Sequence, residues 1–114
     1  MTPFRALLGA IFVAISAYTS IVIANHGPGL FPVFFGDIAD MGWRGQFNLD
    51  FLGFLTLSAF WLAWRNDFSP AGLALGVLGF FLGAPFLTAY LFFASRSADG
   101  DPRVLLLGAR RAAR

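Results

Sequence analysis

The sequence predicts an all-α integral membrane protein with three transmembrane helices and a short interfacial helix between the first and second. Three observations carry this. Apolar residues make up 58% of the 114 residues and charged residues 12%, against about 45–50% and about 25% in soluble domains. A soluble globule of this mass exposes roughly 6,000 Å², which eight arginines and six aspartates cannot cover. The apolar residues also fall into three long runs, each within the span of about 17–25 residues that a bilayer-crossing helix needs.

The first run covers residues 4–24 and is interrupted only by Arg5. It is longer than the apolar core of a signal peptide, about 7–15 residues, and is read as a retained span. The second covers residues 47–64. It carries Asn48 and Asp50 in its first turn and closes on Trp61, Trp64 and Arg65. The third covers residues 71–94 and contains Pro85, which is expected to kink it. Residues 1–95 thus form the membrane domain and residues 96–114 a basic tail. In lipid each run must be helical, because a helix satisfies its own backbone hydrogen bonds.

Residues 25–46 do not read as an ordinary polar loop. His26-Gly27-Pro28-Gly29 is a turn signal that ends the first helix. Pro32 suits the first turn of a short helix. From there Phe34, Ile38 and Met41 share one face, with Asp37 and Asp40 on another, and Trp43 follows. The pattern predicts an amphipathic helix at the membrane interface. A segment packed on a protein partner would show the same apolar face.

Basic residues set orientation, the cytoplasmic side carrying the excess. Three crossings put Arg44, Arg96, Arg103, Arg110, Arg111 and Arg114 on one side, with Arg5 and Arg65 on the other. This predicts a cytoplasmic C-terminus and an external N-terminus, in a bacterial inner membrane. Leu107, Arg110, Arg111 and Arg114 suit a short basic helix that docks on the membrane face or on an acidic partner, with Arg103 opening the cluster. Nucleic-acid binding is excluded, since no aromatic and basic surface is interleaved to stack bases.

Gly72, Gly76, Gly79 and Gly83 follow at steps of four, three and four and share one face of the third helix. Such a face lets two backbones approach closely. It is expected to meet another helix of this chain, Gly9, Ala10, Ala14 and Ala17 of the first span offering one surface, or a helix of a larger complex.

Few residues carry chemistry. With no cysteine there is no thiolate site or disulfide. Asp50 is the outstanding polar group, because an ionisable residue within a span is costly. It is expected to complement the helix dipole, accept from Tyr90 or Thr88, or pair with Arg44. His26 is a weak cofactor candidate as an axial ligand to a chlorophyll-type pigment or haem, and otherwise an interfacial loop residue. Asp37 and Asp40 have no third ligand at metal spacing. No nucleophile elbow, phosphate loop or metalloprotease helix occurs.

Three features then come together. The second run opens Phe47-Asn48-Leu49-Asp50-Phe51-Leu52 and ends in tryptophans. The third carries Leu82-Gly83-Ala84-Pro85-Phe86-Leu87, followed by Tyr90-Leu91-Phe92. This resembles a family of small bacterial three-helix membrane proteins classed as a domain of unknown function. The resemblance implies the three-helix architecture and draws attention to Asp50, Pro85 and Tyr90. It implies no activity.

The function expected from the sequence is that of a non-catalytic accessory subunit of a larger inner-membrane complex, photosynthetic (reaction centre and light-harvesting) or respiratory. Its partners would be other integral membrane subunits and lipids. The alternative is a binding protein or small transporter for a lipid, quinone or carotenoid, held near the Phe-rich loop and Pro85.

Overall fold

The computed structural model describes residues 2–113. Seven helices follow in order: α1 (Thr2–His26), α2 (Leu30–Ala39), α3 (Trp43–Arg65), α4 (Pro70–Leu82), α5 (Ala84–Ser97), α6 (Pro102–Leu107) and α7 (Ala109–Ala112). There is no strand among the described residues.

Two helices, α1 and α3, are long and apolar enough to cross a membrane. Little of either is covered: 6% and 11% of their most apolar stretches are buried in the chain. The accessible surface is 7823 Å², well above the roughly 6,000 Å² of a compact soluble protein of this mass. Among the described residues the buried apolar set is Leu8, Leu62, Ala63, Ala98 and Leu105.

The third run does not form one helix. It breaks at Gly83 into α4 and α5, which corrects both the expected single span and the expected kink at Pro85. Gly83 takes φ 68° and ψ −143°, a conformation that a side chain disfavours. Pro85 sits in the first turn of α5, where its missing N–H is no loss. The chain then doubles back. A straight helix would carry Tyr90 about 27 Å from Gly72. Instead the Tyr90 hydroxyl accepts from Asn66 Nδ2 at 3.0 Å and Arg65 Nη1 at 2.8 Å, just ahead of α4.

The α4–α5 hairpin lies between the two long helices, with α4 packed along α3 and α5 along α1. Its turn lies beside Phe51 and Leu55, near the middle of α3. At about 20 Å, neither hairpin helix matches a hydrocarbon core of about 30 Å. Gly83, where the run breaks, is buried.

The glycine face of α4 meets α3, not the small residues of α1. A Cβ on Gly76 would lie 2.9 Å from the Ala59 carbonyl oxygen. On Gly72 it would lie 2.7 Å from Asn66 Cβ, and on Gly79 2.5 Å from Leu62 Cδ1. Gly9 has nothing within 4 Å of such a position. Ser69 caps α4, its Oγ accepting from Gly72 N at 3.0 Å.

α2 packs against the start of α3. Gly45 allows the crossing, because a Cβ there would overlap the Asp37 carbonyl and lie 2.8 Å from Ile38 Cα. Asn48 Nδ2 donates to the Phe34 carbonyl at 3.1 Å, and Arg44 lies 3.7 Å from Asp37. Gly45→Leu is expected to lift α2 off α3. Hydrogen exchange should then rise across residues 30–39 and stay unchanged across residues 84–97. Unchanged exchange in α2 would show that Gly45 does not set this contact.

Candidate functional site at the terminal end

The start of α1, the end of α3, the open end of the hairpin and the tail all gather at one end of the molecule. Arg5 Nε donates to Ser95 Oγ at 2.9 Å and its Nη2 to the Ser95 carbonyl at 3.0 Å. This pins α1 to α5. Ser95 is fully buried, and its hydroxyl donates to the Phe92 carbonyl at 2.7 Å.

Arg65 holds the centre of this end. Its Nε donates to the Leu105 carbonyl at 2.6 Å, its Nη2 to the Val104 carbonyl at 3.3 Å and its Nη1 to the Tyr90 hydroxyl. Trp61 Nε1 donates to the Leu106 carbonyl at 3.1 Å. These are carbonyls of the short helix α6: those of Leu105 and Leu106 lie in its last turn, where main-chain donors run out, while that of Val104 also accepts from Gly108 N at 2.9 Å. A cation there also complements the helix dipole. The tail is therefore clamped by side chains from the last turns of α3. Close approach is allowed at Gly108 (φ 84°), where a Cβ would lie 3.0 Å from the Arg65 carbonyl.

A second set of contacts holds α7. Arg111 Nη2 pairs with Asp67 at 2.9 Å, and Arg110 lies 3.6 Å from the same carboxylate. The Arg111 guanidinium stacks 4.1 Å over the Trp64 ring and also donates to the Trp64 carbonyl. Asp67 and Phe68 both take positive φ in the α3–α4 turn, and this turn aims the carboxylate at the tail.

A cavity of about 400 Å³ opens between α3, α4 and α5. Arg65, Tyr90 and Ser97 give it polar groups, and Leu75, Phe86, Ala89, Phe93 and Ala94 its apolar wall.

The residues singled out in the sequence are dispersed by the fold. Asp50 is exposed on α3 and makes none of the expected bonds. Tyr90 is taken by Arg65 and Asn66, and Thr88 Oγ1 donates to the Ala84 and Pro85 carbonyls. Arg44 faces Asp37. The reason is geometric, since Asp50 lies about 22 Å along α3 from Arg65. His26 is exposed at the end of α1, away from the terminal end. No group of three potential metal ligands occurs among the described residues. Arg103 is exposed, and only its backbone N–H is engaged, by the Asp101 carboxylate at 2.9 Å. Arg110 and Arg111 dock within the chain, while Arg114 lies outside the described residues. Arg65, Asn66 and Asp67 were missed as site residues. Their signal was an Arg-Asn-Asp run directly after an aromatic span end.

Arg5 and Arg65, expected on the side away from the tail, lie at the tail's end. Six arginines and three aspartates gather there, while Arg44, Asp37 and Asp40 lie toward the other end and Asp50 nearer the middle of α3. Comparison with protein-family models, curated proteins and solved structures gives no match.

Proposed function

We propose that this chain is a non-catalytic accessory subunit of a larger bacterial inner-membrane complex. One observation carries the reading. The hairpin fills the space between α1 and α3 only over the half nearest the termini. Over the other half, beyond the hairpin turn, both helices keep apolar residues exposed, Tyr18 by 74%, Ile21 by 62% and Phe47 by 66%. Helices of a partner would complete that half, as the hairpin completes this one.

The test is mild-detergent extraction of the tagged chain from native membranes, then native electrophoresis with mass spectrometry and an absorption spectrum of the same band. A large band containing other membrane subunits is expected. Photosynthetic and respiratory assemblies are the first hosts to look for, and absorbance would identify bound pigment or quinone-linked cofactors. Migration as a lone small protein would overturn the subunit reading.

The proposal includes a topology. Two crossings with a re-entrant hairpin put both termini on one side. The arginine excess makes that side cytoplasmic. This replaces the external N-terminus inferred from three crossings. The chain has no cysteine, so single cysteines report cleanly. Ser97→Cys is expected to resist an impermeant maleimide in spheroplasts until the membrane is opened, while Gly27→Cys reacts at once. The reverse labelling would overturn the orientation, and opposite behaviour of Thr2→Cys and Ser97→Cys would overturn the shared side.

A further inference from the structure

We infer that the cavity between α3, α4 and α5 binds one anionic phospholipid, with Arg65 at its headgroup phosphate and an acyl chain along Leu75, Phe86 and Ala89. The proposal shares only the premise of membrane insertion with the subunit reading.

The first argument is charge. A guanidinium has five N–H donors. Arg65 spends three, all on neutral acceptors: the Tyr90 hydroxyl and two carbonyls. It lies within 4 Å of no carboxylate among the described residues. The aspartate next in the chain, Asp67, is held by Arg110 and Arg111. Helix carbonyls supply only about half a negative charge. One N–H on each Nη remains for an anion, and arginine matches a phosphate's oxygens in geometry as well as charge.

The second argument is shape and depth. The volume of about 400 Å³ falls in the range of about 300–1,000 Å³ for small-molecule sites. Arg65 and Tyr90 form its polar centre, and Leu75, Phe86 and Ala89 carry an apolar wall from there toward the hairpin turn, as an amphiphile's tail requires. Arg65 ends a candidate membrane-spanning helix, where a headgroup would be. Phe93, 63% exposed, leaves the groove open at the side, so a chain can enter from the bilayer.

Native mass spectrometry of the detergent-purified chain tests this with dioleoyl phosphatidylglycerol and dioleoyl phosphatidylcholine at equal concentration. Retention of the anionic lipid is expected to exceed that of the zwitterionic one about tenfold. Arg65→Gln should remove the preference. That variant also loosens the tail, so Ala89→Trp is the second arm. It fills the groove, leaves every Arg65 bond in place and should cut retention of the anionic lipid. Excess inorganic phosphate should not displace the lipid, and oleate should bind more weakly than phosphatidylglycerol. Equal retention of the two phospholipids, full retention in Ala89→Trp, displacement by phosphate or preference for oleate would each overturn the assignment. The experiment uses the chain alone, so its failure leaves the subunit reading standing, and the reverse holds as well.

Discussion

Gly76→Leu is expected to separate α4 from α3 and to give one of the largest losses of stability of any single change in α1 to α5. At Gly76 the obstacle is the Ala59 carbonyl oxygen, 2.9 Å from where a Cβ would stand. A backbone atom inside a helix cannot rotate away, as the Leu62 side chain opposite Gly79 can. Were the helices in lipid, as the proposed function has them, no hydrophobic force would hold them together and close packing itself would carry the association. Overpacking costs about 1–3 kcal/mol in ordinary cores, and a rigid neighbour puts this site at the upper end. Loss of the α3–α4 contact also moves the hairpin's open end, where Tyr90 meets Arg65 and Asn66. The measurement is thermal or denaturant unfolding in detergent, with Gly53→Leu as the comparison. Gly53 has nothing within 4 Å of its Cβ position, and leucine there should cost nothing. Equal stability of the two variants would show that the glycine face is not a packing surface.

The glycines also show what could be read in advance. Their spacing was visible in the sequence, because helical period alone puts them on one face. The helix they meet was not visible. α1 offers Gly9, Ala10, Ala14 and Ala17 at suitable steps, and nothing in composition prefers α3. The two long helices were legible for a simpler reason, since length and apolarity define them without a partner. Their ends moved only a few residues, from 4–24 to Thr2–His26 and from 47–64 to Trp43–Arg65. The break at Gly83 was hidden by the stripe itself. A glycine that admits a neighbouring helix and a glycine that takes positive φ are the same letter. Pro85 does not separate the two readings, because proline fits both a kink and a helix start.

The terminal clamp was illegible for another reason. Arg65 read as a charge at the end of a span, which is where any such helix carries one. Its partners are the main-chain carbonyls of Val104 and Leu105, and main-chain acceptors leave no mark in a sequence. Asp50 misled in the opposite sense. A carboxylate within an apolar run invites a search for side-chain partners, yet the fold leaves it at an exposed position on α3. Tyr90 was singled out, and the structure supplies its neighbours from the end of α3 instead.

Arg65→Met is expected to release α6 and α7 while leaving α1 through α5 assembled. Methionine keeps much of the apolar stem and removes every donor. Among the described residues the Val104 and Leu105 carbonyls then lose their side-chain bonds, and Tyr90 keeps that from Asn66. A hydrogen bond to a charged group contributes about 1.5–3 kcal/mol. The three are partly solvated and share one side chain, so the expected loss is that of about one to two such bonds. It falls on the tail, because α4 and α5 keep the glycine contacts and the Arg5–Ser95 pin. Arg111, stacked on Trp64 and paired with Asp67, cannot hold the tail by itself, since half-exposed ion pairs contribute about 0–1 kcal/mol. Hydrogen exchange should therefore rise sharply over residues 102–112 and little over residues 70–97. The unfolding midpoint of α1 to α5 should fall less than in Gly76→Leu. If the tail keeps its protection in Arg65→Met, Trp61 and Arg111 are the true clamp. If protection is lost throughout, Arg65 is a keystone of the whole terminal end and α6 is part of one cooperative unit with the hairpin.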